Sequence, residues 1–184
     1  MVSRKLITIL LLATLVALIP ITSAEQGQEP AVIRVVDPFG EPMKGVEVLL
    51  TKDGESFRFL TNSTGHATFT KLTPGIYNVS VIFKNVSVYS GELDYPSQRA
   101  LEAVALLSRI NLTLLNLDGK PVKGVVVTLS SSTKKFNMTT SSNTDGVVSF
   151  KYIPYSSLPD IGEYSLRVFK GSVTYFEERL NISE

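Results

Sequence analysis

The chain has 184 residues, 43% of them hydrophobic and 19% charged, with 18 Lys and Arg against 17 Asp and Glu. That balance, without a basic block or an acidic tail, gives no electrostatic ground for binding nucleic acid or an anionic surface. Cysteine is absent, so disulfides, thiolate metal sites and cysteine nucleophiles are excluded together.

Residues 1–24 read as an address. Arg4 and Lys5 precede an apolar run over residues 6–21, and Thr22, Ser23 and Ala24 supply small residues at the cleavage positions. The run is interrupted by Pro20 and falls short of the ~20 residues of a spanning helix. A secretory signal peptide cleaved after Ala24 is expected, with Glu25 as the mature start. The competing reading, an uncleaved N-terminal anchor, would make this segment the only membrane contact.

A first strand is expected over about residues 31–36, with Ile33 and Val35 inward. Asp37-Pro38-Phe39-Gly40 forms a turn in which Pro fixes φ and Gly is free to take positive φ. Val46, Val48 and Leu50 then alternate with Glu47 and Leu49, the period of a half-buried strand. Asp53-Gly54 signals a hairpin leading to a third strand over 56–60, with Phe57 and Phe59 on one face. Residues 61–65 turn into a short strand over 66–69, and Thr73-Pro74-Gly75 turns into an alternation of Tyr77, Val79 and Val81 with Asn78 and Ser80. Two more strands, around 86–89 and 100–107, would complete seven, which indicates an antiparallel sandwich.

Residues 98–107, QRALEAVALL, are ambiguous. Their Ala, Leu and Glu content favours a helix that Ser97 could cap. The period-2 run of residues 110–114 continuing from them favours a strand instead, and apolar side chains on both faces of it imply burial between two domains.

The plan then repeats. Residues 35–50, VVDPFGEPMKGVEVLL, return 79 positions later as LLNLDGKPVKGVVVTL; the turn ending at Gly65 returns at Gly146, and Gly75 returns at Gly162. The offset therefore grows from 79 to 81 to 87, and its last six residues fall within 152–161, where the copies clearly differ. The expected organisation is all-β: a signal peptide over 1–24, a first immunoglobulin-like sandwich over 31–107 and a second over 108–184.

The matching residues are Asp37, Gly40, Pro42, Gly45, Gly65, Phe69, Gly75 and Tyr77, then Asn116, Gly119, Pro121, Gly124, Gly146, Phe150, Gly162 and Tyr164. This pattern resembles the carboxypeptidase regulatory-like family, whose transthyretin-like (prealbumin-like), immunoglobulin-like sandwich is related to the B-type repeats of bacterial collagen adhesins. The resemblance implies the fold and a structural or adhesive role. It also draws attention to the internal Lys–Asn crosslink of those adhesin repeats, but the first strands here, VIRV and NLTL, carry no lysine.

Few residues suggest catalysis. His66 is the only histidine, its counterpart is Val147, and no cluster of the usual transition-metal ligands can be assembled from sequence. Glu177 and Glu178 are adjacent, so on a strand they point to opposite faces. No enzyme activity, cofactor or metal is expected. The sequons are a stronger signal: Asn62, Asn78, Asn85, Asn111, Asn137 and Asn181 each precede x-Ser/Thr, six of eight asparagines. Serine and threonine are about one residue in five, so chance would supply far fewer. On a strand, residues i and i+2 share a face, so an inward middle residue leaves both acceptor positions in solvent, as a glycan requires.

The expected protein is thus secreted or cell-surface, N-glycosylated and non-enzymatic, with other envelope or extracellular proteins, or glycans, as partners and oligomerisation open. Two rivals remain. One is a carbohydrate- or ligand-binding accessory module using Tyr152, Tyr155 and Asp160 of the inserted loop. The other is a filament subunit assembling by strand exchange, with residues 175–182 as the donor and the polar residues 25–30 unsuited to it.

Overall fold

The computed structural model describes residues 29–183, so the expected signal peptide and its cleavage point lie outside the described residues. The described chain is all-β. Its first seven strands are β1 (Ala31–Val36), β2 (Glu47–Lys52), β3 (Glu55–Leu60), β4 (His66–Phe69), β5 (Gly75–Phe83), β6 (Val86–Tyr95) and β7 (Ala100–Val104). Six more follow: β8 (Leu107–Thr113), β9 (Val126–Ser131), β10 (Asn137–Ser141), β11 (Val147–Pro154), β12 (Tyr164–Lys170) and β13 (Val173–Leu180).

β1 to β7 make two sheets, ordered β4-β1-β7 and β3-β2-β5-β6. All pairings are antiparallel except β7, which lies parallel to β1 with Arg34 opposite Glu102. The alternation read from sequence decides what is inside: Ile33, Val35, Val48, Leu50, Val79, Val81 and Phe69 are buried, and Asn78 is exposed. Phe57 and Phe59 close one margin of this core with edge-on contacts to Tyr77 and Phe69, at ring-centroid distances of 6.2 and 5.0 Å. The Asp53-Gly54 hairpin has φ of 50° and 86°, the two positive values of a turn that follows the twist of the strands it joins.

β8 to β13 repeat this arrangement as sheets β11-β8 and β10-β9-β12-β13. The repeat extends to small irregularities. β5–β6 and β12–β13 each shift register at one point, between Val81 and Ile82 and between Val168 and Phe169. In both copies a buried hydroxyl ties the second strand to the turn before it. Thr61 Oγ1 accepts from Val46 N–H and donates to the Met43 carbonyl, as Ser142 Oγ does with Val125 and Val122. Gly65 and Gly146, at φ of 78° and 71°, let the first strand pass close by: a Cβ at either would press on the carbonyl oxygen of Val35 or Leu114.

Two expectations need correction. Residues 98–107 form extended chain, but not one strand buried on both faces. β7 ends at Val104 and β8 begins at Leu107, with the chain stepping between sheets across Ala105 and Leu106. Ala103, Ala105 and Leu107 are buried, whereas Val104 and Leu106 are exposed, so the outer face of this segment is in water. Second, the two copies are not complete equivalents. Among the described residues no strand pairs with β8 on the side where β7 pairs with β1.

Candidate functional site

The inserted loop is tied to its surroundings in three directions. Tyr152, at φ 60°, interrupts the β11–β8 register and lays its ring edge-on against Phe83 of the first copy, centroids 6.0 Å apart. Tyr155 is buried, and its backbone N–H donates to Leu106 at 3.2 Å. Asp160 pairs with Lys135, while its backbone carbonyl accepts from Thr133 Oγ1 at 2.6 Å. The three side chains do not converge on one cavity. Beneath them Tyr164 donates its buried hydroxyl to the Pro154 carbonyl at 2.8 Å, and burial pushes that phenol well above its ordinary range.

The six sequon asparagines are all exposed. In the strand sequons the middle residue turns inward: Val79 is fully buried, and Leu112 and Met138 are half-buried against the core. Two asparagines also shape turns. Asn62 Oδ1 accepts from the N–H groups of Thr64 and His66, as Asn143 does from Asp145 and Val147 in the second copy. Asn85 sits with Lys84 in a two-residue turn at positive φ, a conformation Asn tolerates. Their amide nitrogens, where a glycan would attach, are not used in those bonds.

Among the described residues His66, Glu177 and Glu178 are not brought together. His66 lies on β4, its Nδ1 2.9 Å from Thr64 Oγ1. Glu177 faces Arg167 at 3.4 Å, on the solvent side of β13. Among the described residues no three of His, Asp and Glu come together as a metal site. The most buried charge joins the two copies. Asp37, 1% exposed, accepts from Phe39 and Glu41 N–H and pairs with Arg109, which also pairs with Glu41 at 2.6 Å and lies 4.2 Å from the centre of the Phe39 ring. The hydrogen bond that Arg109 donates to the Glu41 carboxylate leads the causes that raise the Arg109 pKa. A second contact sets Lys84 over both Phe83 and Phe136.

The feature that sequence reasoning missed is a cavity of about 860 Å³ along the unpaired edge of β8. Its walls are apolar and belong to both sheets of the second copy. Along the edge itself, several residues that are buried in the first copy are open in the second, while Val125, Leu166 and Val168 stay buried as the floor. Val36 is 2% exposed and its counterpart Leu115 54%; Val88 is 0% exposed and its counterpart Tyr175 65%. Met43 is buried where Val122 is half-exposed. The expected donor stretch, 175–182, lies mostly in β13, where residues through Leu180 pair with β12.

No family model matches the chain, and no curated protein matches it. Among solved structures it is similar to GBS52, the minor pilin of Streptococcus agalactiae, at 19% identity over 85% of this chain and 91% of that one, with a TM-score of 0.48. It is similar to the shaft pilin SpaA of Lactobacillus rhamnosus GG at 8% identity over 85% and 94%, TM-score 0.46. It also matches the TIE protein of Bacillus anthracis at 19% identity and a TM-score of 0.38, covering 86% of this chain but spanning only 32% of that protein's length. The fold is defined by the strands and their pairing.

Proposed function

We propose that the chain is a secreted or cell-surface, N-glycosylated, non-enzymatic structural or adhesive protein, built from two carboxypeptidase-regulatory-like domains over 31–107 and 108–184. In this reading residues 1–24 are a signal peptide cut after Ala24, and the partners are other extracellular proteins or glycans. The observation that carries it is the exposure of all six sequon asparagines, with the strand sequons turning their middle residue inward. Glycans there would cover strand faces and leave loops, ends and edges for contact. Mass spectrometry of the protein from its native source tests this. The expected result is an N-terminus at Glu25 and glycan mass on several of Asn62, Asn78, Asn85, Asn111, Asn137 and Asn181. An N-terminus at Met1 with bare asparagines would contradict both secretion and glycosylation.

A second reading, an extracellular filament subunit assembling by strand exchange, is favoured by the unpaired edge of β8. Negative-stain microscopy of secreted material tests it, with filaments expected and only monodisperse particles at high concentration counting against it.

A further inference from the structure

We infer that the second sandwich accepts an extended strand from another polypeptide, laid parallel along β8 in the position that β7 takes along β1. This rests on the geometry of the edge and requires neither secretion nor glycosylation. The first copy is the template. There Val32 N–H donates to the Arg99 carbonyl and Val36 C=O accepts from Ala105 N–H, so even-numbered residues of β1 turn their backbone to β7. The other side of the strand matches in both copies, since Val35 N–H donates to Gly65 and Leu114 N–H to Gly146, each at 2.8 Å. The backbone groups of Asn111, Thr113 and Leu115 therefore face the open edge, in the places of Val32, Arg34 and Val36.

An unpaired row of donors and acceptors beside an apolar trough is a template for one more strand. β7 defines what fits. Ala103 and Ala105 point inward and are fully buried, while Glu102 and Val104 point out. The partner strand accordingly alternates small or medium apolar residues with exposed ones. A larger inward side chain suits the trough near Leu115 and Tyr175, which are more open than their counterparts. A second copy of the chain fits less well. Its own β7 is committed to its first sandwich, and two β8 edges meeting antiparallel would leave the trough unfilled.

The probe is a synthetic peptide of residues 98–107, QRALEAVALL, labelled with fluorescein and titrated against the mature chain by anisotropy, with amide exchange followed in parallel. Saturable one-to-one binding is expected, together with at least tenfold slower exchange of the Asn111 and Thr113 amides in the complex. Thr113→Pro removes an edge-facing donor at a position where edge strands tolerate proline; it should weaken binding at least tenfold. Leu115→Glu, at an exposed site that cannot disturb folding, should do the same, and a peptide carrying Glu at its Ala103 and Ala105 positions should not bind. Three results would overturn the inference: binding unaffected by both variants, no change in Asn111 and Thr113 exchange at millimolar peptide, or concentration-dependent dimerisation that Thr113→Pro abolishes. The last would assign the edge to a second copy.

Discussion

The two sandwiches share strand order, register shifts, buried hydroxyl bridges and turn glycines, yet one strand separates them. In the first, β7 lies parallel to β1, and residues such as Val36 and Val88 are dry. In the second the same positions hold Leu115 and Tyr175, which face solvent around a trough. The repeated motif is fold hardware, and among the described residues the copies differ at the edge of the first strand, paired to β7 on β1 and open on β8. It also gives each residue of one copy a control in the other.

The largest expected effect comes from forcing β7 out. Ala103 is fully buried between the sheets, so Ala103→Glu places an unpaired charge there and should cost about 4 kcal/mol. Chemical denaturation should show a transition moved to a lower midpoint by that loss. Next is the junction. Arg109→Met strips the guanidinium from Asp37, which is 1% exposed, and should lower the melting temperature, by less than breaking a fully buried pair would because Arg109 reaches solvent. Calorimetry should then separate the melting of the two sandwiches.

A matched pair sharpens the contrast further. Val88→Ala opens a cavity in the first copy and should cost about 2 kcal/mol. Tyr175→Ala, at the same place in the second copy, should stay within about 0.5 kcal/mol; equal losses would mean the trough is already filled. A second pair tests what the copies have in common. Thr61→Val and Ser142→Ala each remove a buried hydroxyl that accepts one backbone bond and donates another. Each should cost about 1–2 kcal/mol, and by similar amounts.

Much of this fold was legible in the sequence because its strands are half-buried and therefore alternate. Val46, Val48 and Leu50, and again Val125, Val127 and Leu129, announce their inner faces directly. Turn chemistry was equally plain at Asp53-Gly54, where positive φ selects the residues. Residues 98–107 were less so: alanines suit β7 because the facing sheet is close, and that constraint is tertiary, which local composition reads as helix. The candidate loop was found as an insertion, but its three polar side chains were dispatched to Phe83, the core and Lys135 by contacts distant in sequence. The trough was invisible to a residue-by-residue reading, since it is made by a missing neighbour rather than by unusual residues.

Among the described residues β8 lacks the partner that β1 has, and native-state amide hydrogen exchange reads that difference most directly. Val32 and Arg34, paired to β7, should be strongly protected, while Asn111 and Thr113, their counterparts on β8, should exchange orders of magnitude faster in the free protein, since an unpaired edge amide opens without breaking the sheet. Equal protection at the two sets of positions would contradict the account.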